Sequence, residues 1–124
     1  LDIKFAWIVN SEDGLDEISP YDKTNVVQLK DGVISEIIID PNQLNINADK
    51  FENLIGNDAV FNADRMIKIF KGKDNDFSKA VCLNAAAGLV VNETHQNFNK
   101  AYDEARKHIL SGQTFKQLEK IQNG

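Results

Sequence analysis

The stretch that decides the fold runs from Lys4-Phe5-Ala6-Trp7-Ile8-Val9 into Asp13-Gly14-Leu15-Asp16-Glu17-Ile18-Ser19. The first part is a short, nearly continuous apolar run, which suits a central strand buried on both faces. Asp13-Gly14 is a turn signal, and behind it the adjacent carboxylates Asp16 and Glu17 stand in a loop at the strand's carboxyl end. Where helices cross over a sheet, ligands sit outside the carboxyl ends of the strands, and a rigid scaffold lets such loops carry chemistry. Neighbouring carboxylates repel each other, so a close pair that must stay charged favours a hard cation. Mg²⁺ is the usual one where phosphates are handled, held by one or two carboxylates, waters and the substrate's phosphates. Taken alone, an Asp-Glu pair in a loop is ordinarily solvated surface.

Beyond the loop, Pro20 keeps Ser19 extended and stops a helix from starting there. Thr24 to Lys30 and the β-branched Val33 to Ile39 read as a hairpin closed by Asp31-Gly32, the preferred two-residue type I′ turn. A flap over a ligand is one use for such a ribbon; packing beside a sheet is the plainer one. Asp40-Pro41 suits a helix start, but Asn42 to Asn47 is too polar and short for more than a turn. A short helix is expected from about Asn47 to Gly56. A longer one follows, with Asp58 as N-cap, Val60, Ala63, Ile67 and Phe70 at helical spacing, and Gly72 as the left-handed C-cap.

Asp74 to Asp76 read as a polar linker, with Ser78 as the cap of the next helix. Ala80 to Val91 is nearly all apolar, and a helix apolar all round is a buried one; its patch Ala85-Ala86-Ala87-Gly88 lets neighbours approach closely. An amphipathic helix is expected from about Gln96 to Ser111, carrying Phe98, Tyr102, Ala105 and Ile109 on one face. Gly112 stops it. Thr114 with Gln117 reads as the capping box of a terminal helix.

The chain has 124 residues, 42% of them hydrophobic, and a net charge of -5. That is one domain's worth or less. The charge argues against a non-specific nucleic-acid binder, which would show a basic stripe. It leaves phosphate ligands open, because a bound Mg²⁺ reverses the local charge. The single cysteine, Cys82, permits neither an intrachain disulfide nor a cysteine metal cluster and reads as a small core residue. The apolar stretches are too short and interrupted by Asn84 and Asn92 to span a bilayer. No secretory signal precedes them, so no membrane partner and a cytoplasmic location are expected. The chain starts at Leu1 and reaches a strand with few visible neighbours, so residues 1–124 are expected to be a single partial domain.

His95 and His108 are isolated and read as surface or capping groups. The seven glycines match no dinucleotide or phosphate-loop spacing. Asn62 and Asn84 fall inside helical segments and read as packing or capping groups, since a buried Asn needs partners. Asp16 and Glu17 remain as the candidate site.

Several of these patterns line up with one family. Asp13-Gly14-Leu15-Asp16-Glu17-Ile18-Ser19 resembles the acidic motif of anthranilate phosphoribosyltransferases. The hairpin from Val27 to Ile34 and Asp40-Pro41 are similar to its next segment. Leu54-Ile55-Gly56-Asn57-Asp58 with Asn62-Ala63 resembles its Gly-Gly-Asp…Asn-Ala helix start. Ala80-Val81-Cys82-Leu83-Asn84-Ala85-Ala86-Ala87 resembles its Leu-Asn-Ala-Ala helix, and Ala105 to Leu118 its C-terminal end.

The resemblance implies an α/β fold, namely the C-terminal portion of the large α/β domain of a nucleoside phosphorylase or phosphoribosyltransferase type. It implies transfer of phosphoribosyl from phosphoribosyl pyrophosphate to anthranilate in tryptophan biosynthesis, in a homodimeric parent. It also implies Mg²⁺ at Asp16 and Glu17. The family's Gly-rich pyrophosphate loop, its Lys-His-Gly-Asn segment and its anthranilate-binding arginine precede the acidic motif, and none is present here. Asn10-Ser11 replaces the usual His-Gly. The chain alone is therefore expected to be inactive. A pyrimidine nucleoside phosphorylase-like enzyme and a non-catalytic α/β binding module are the alternatives.

Overall fold

The computed structural model describes residues 2–124. Strands β1 (Phe5–Ser11), β2 (Thr24–Lys30) and β3 (Val33–Ile39) are followed by helices α1 (Ala59–Phe70), α2 (Asp76–Val91), α3 (Phe98–Leu110) and α4 (Gln113–Asn123). Single 3₁₀ turns at Pro41–Leu44 and Phe51–Leu54 lie between sheet and helices. The sheet is antiparallel in the order β1-β2-β3.

The hairpin forms as its sequence dictates. Lys30 pairs with Val33, and Asp31 and Gly32 both take positive φ, 49° and 79°, the signature of a type I′ turn. The strand β1 differs from expectation. It lies at the edge of the sheet, and Ile8 is 71% exposed. Alternation along a strand explains the split: Phe5, Trp7 and Val9 pack against the core, while Ile8 points to the other face opposite Val27. The helical layer covers one face only, so an apolar run in the sequence becomes one buried and one bare set of side chains.

The core joins Val26, Ile39, Ile18 and Ile46 to Leu83, Ala86 and Val90 of α2 and to Ala101, Tyr102 and Ile109 of α3. The predicted face of α3 is thus the buried one, although Phe98 is only half-buried. Helix α2 is not enclosed all round. Cys82, Leu83 and Ala86 are buried, whereas Val81, Ala85 and Leu89 are half-buried and Gly88 is exposed. Helix α1 reaches the core through Ile69, while Val60 and Ala63 are exposed.

Caps set the helix bounds. Asp58 accepts from the Phe61 amide at 2.8 Å, and Gly72 follows α1 with φ 102°. Helix α2 starts earlier than expected because Asn75, not Ser78, is its N-cap. Their side chains and amides exchange reciprocal bonds, each of 2.9 Å. Helix α3 starts at Phe98 behind the N-cap Asn97. Helix α4 follows Gly112 (φ 85°) at once, so Thr114 lies within the helix and the expected Thr114–Gln117 box is not formed.

Candidate functional site

The acidic loop leaves β1 at Ser11 and returns to β2 at Thr24, and its conformation is set by side chains that bond its own backbone. Asp13 is the centre of the first turn. Its Oδ1 accepts from the Ser11 hydroxyl and from the Leu15 amide at 3.2 Å, and its Oδ2 accepts from the Ser19 hydroxyl at 2.5 Å. The Ser11 amide donates to the Leu15 carbonyl at 3.0 Å, and Gly14 takes φ 91° to let the chain turn. Ser19 Oγ also accepts from the Tyr21 and Asp22 amides at 3.0 and 3.2 Å. Partial burial alone would raise the Asp13 pKa, but the bonds from Ser11, Ser19 and Leu15 favour the charged form and hold it below the ordinary carboxylate value.

The far side of the loop is tied to α2. Asn84 Oδ1 accepts from the Ile18 amide at 3.0 Å, and Asn84 Nδ2 donates to the Ile18 carbonyl at 3.1 Å. A further bond from Nδ2 to the Ala80 carbonyl, 2.9 Å, holds the side chain on its own helix. Ile18 is 1% exposed and Ser19 0%. Between these ties stand Asp16 and Glu17, both exposed. Among the described residues, no hydrogen bond or ion pair engages either carboxylate.

No group of three or more His, Cys, Asp or Glu side chains gathers around a metal position among the described residues. Two free adjacent carboxylates with no third protein ligand are a donor set that fits Mg²⁺, which keeps several waters and takes substrate phosphates as ligands.

A second polar centre lies beside the first. Asp76, expected in a linker, is residue one of α2 and 6% exposed. Its Oδ2 accepts from the Asp49 amide at 3.0 Å, Asn53 Nδ2 at 2.9 Å and the Tyr21 hydroxyl at 3.1 Å, and its Oδ1 pairs with Lys79 at 3.0 Å. Burial opposes its charge, yet the bonds from Asn53, Lys79 and the Asp49 and Lys50 amides hold the carboxyl well below the usual range. The same burial, with the negative Asp76 alongside, pushes the Tyr21 phenol up.

The other expected residues hold structural places. Asn62 Oδ1 accepts from the Asn57 amide and Nδ2 donates to the Asn57 carbonyl, both at 3.1 Å, closing the loop ahead of α1. His95 pairs with Glu104, and His108 is exposed on α3. A groove of about 430 Å³ lined by Phe5, Trp7, Leu44 and Phe98 lies at the opposite end of β1 from the carboxylates. What sequence reasoning missed are the bonds of Asp13 to Ser11 and Ser19 and the buried role of Asp76. The loop bonds had a signal, since Asp and Ser side chains readily bond backbone two or three residues on.

Residues 1–115 match the glycosyl transferase family, a/b domain, and the chain belongs to that family. The anthranilate phosphoribosyltransferase of Pelagibacter ubique is 74% identical over 99% of this chain and 37% of its own length. The crystal structure of anthranilate phosphoribosyltransferase from Thermus thermophilus superposes with a TM-score of 0.83 at 24% identity, covering 94% of this chain and 34% of that one. The enzyme from Saccharomyces cerevisiae in complex with PRPP and Mg superposes with a TM-score of 0.79 at 24% identity, covering 91% and 33%. These likenesses bear out the α/β fold and the family resemblance. The chain spans about a third of the length of the relatives it matches. Among the described residues no helix is long and apolar enough to cross a membrane.

Proposed function

We propose that this chain is the C-terminal portion of the α/β domain of an anthranilate phosphoribosyltransferase, with residues 1–124 forming one partial domain. The whole enzyme transfers phosphoribosyl from phosphoribosyl pyrophosphate to anthranilate and releases pyrophosphate, in tryptophan biosynthesis. Support comes from the 74% identity to the Pelagibacter ubique enzyme. The observation that carries the site is the free carboxylate pair Asp16-Glu17 on a loop tied down at both ends.

In this proposal Asp16 and Glu17 hold Mg²⁺. Bound there, the ion neutralises charge that develops on the departing pyrophosphate. The chain's own part is to leave both carboxylates facing solvent, where a phosphate-rich substrate reaches them. The attacking aromatic amine is already nucleophilic, so orientation outweighs acid or base help. A cytoplasmic location and a homodimeric parent are part of the same proposal.

The test follows anthranilate by its fluorescence with phosphoribosyl pyrophosphate and Mg²⁺. We expect no turnover from this chain alone and turnover once the upstream portion of the Pelagibacter ubique relative is supplied. Turnover by the chain alone, or none with the complement present, overturns the assignment.

A further inference from the structure

Among the described residues the Asp16 and Glu17 carboxylates make no bond that fixes them, so what fixes them must act on the backbone on either side. We propose that Asn84 of α2 is a positioning residue for the carboxylate pair, acting through the Ile18 peptide; this deepens, and rests on, the assignment of Asp16 and Glu17 as Mg²⁺ ligands.

The geometry is that of one peptide pairing with another. The Asn84 amide engages both the N–H and the C=O of Ile18, at 3.0 and 3.1 Å. Its third bond, 2.9 Å to Ala80, removes the freedom of the side chain to follow the loop. Ile18 is covalently next to Glu17 and is itself 1% exposed. A shift of the Ile18 peptide therefore moves Glu17 directly. Asn is a poor choice for a helix interior, and its half-buried amide is tolerated in Leu83-Asn84-Ala85 because the loop satisfies it.

On the other side of the pair, Asp13 accepts from Ser11 at the end of β1, and its second oxygen reaches across the loop to the Ser19 hydroxyl. The two carboxylates thus sit on a span with both ends fixed, one end to the sheet and the other to the helix layer. Groups that orient a metal's ligands without touching the metal commonly set its affinity.

The test uses Mn²⁺ as a paramagnetic probe, with free Mn²⁺ read by electron paramagnetic resonance on residues 1–124. Four proteins are compared: wild type, Asn84→Ala, Asn84→Asp, and Asp16→Asn with Glu17→Gln. Asn84→Ala is expected to weaken Mn²⁺ binding about tenfold and to speed exchange of the Ile18 amide hydrogen. Asn84→Asp keeps the acceptor for that amide and is expected to protect it again, with weakening of about threefold.

Wild-type affinity in Asn84→Ala overturns the positioning role while leaving the metal assignment intact. Equal Mn²⁺ binding by wild type and the Asp16→Asn, Glu17→Gln protein overturns both. Should Asn84→Ala fail to fold, Asn84→Asp carries the decision, and wild-type affinity there refutes the proposal.

Discussion

The Tyr21 hydroxyl lies 3.1 Å from Asp76 Oδ2 and shares its one hydrogen between that oxygen and the Lys50 carbonyl, which joins the chain just past the acidic loop to the first turn of α2. The same carboxylate oxygen accepts from the Asp49 amide and from Asn53, so three separate segments meet on one buried group. Asp76→Ala removes the acceptor from the Asp49 amide and from Asn53, leaves the Tyr21 hydroxyl only the Lys50 carbonyl, and deprives Lys79 of its partner. We expect a loss of about 3 kcal/mol in stability by denaturant titration, and a loss under 1 kcal/mol would contradict this role.

Acid should act through the same groups. Asp13 and Asp76 both have folded pKa values below the ordinary 3.8, Asp76 the further below. The unfolded chain therefore binds protons first, and the stability these carboxylates contribute is complete above the ordinary value. It drains away as pH falls through their folded values. The denaturation midpoint of the wild type should drop steeply below about pH 4, and Asp76→Asn should flatten that slope. An unchanged slope would show that Asp76 does not govern it.

Carboxylates proposed to hold a metal, and bonded to nothing among the described residues, are expected to behave differently. Asp16→Asn with Glu17→Gln, placed in the complemented enzyme, should abolish most Mg²⁺-dependent turnover with little change in melting temperature, because neither side chain bonds to another of the described residues. Full activity in the double mutant would remove the metal assignment.

Cys82 is buried on α2, and burial pushes its thiol up to about 11. It should resist an aromatic disulfide reagent in native buffer and react at once in denaturant, because the thiolate is the reactive form. Rapid modification of the native protein would place Cys82 at the surface.

Two glycines with positive φ separate strain from crowding. A Cβ at Gly32 (φ 79°) meets nothing within 4 Å, whereas at Gly72 (φ 102°) it would lie 3.1 Å from the Leu110 carbonyl oxygen. Gly32→Ala should cost about 1 kcal/mol from backbone strain alone, and Gly72→Ala distinctly more. Equal losses in thermal melts would argue against the close approach of α1 and α3.

Much was decided by the sequence locally. The hairpin and its turn, the Asp58 cap, the Gly72 stop and the buried face of α3 are written in patterns spanning a few residues, because turn geometry and helical periodicity act over that range. The exposed Asp16-Glu17 pair was legible for the same reason, since adjacency in the chain is adjacency in space.

Tertiary structure alone decided the rest. That β1 is an edge strand with one bare face depends on which layers cover it, and an apolar run looks alike in both cases. Asn84 and Ile18 are 66 residues apart, as Asp76 and Tyr21 are 55. No periodicity or spacing links such positions. A hydrogen bond needs its partners within about 3 Å, and only packing α2 against the sheet brings them there.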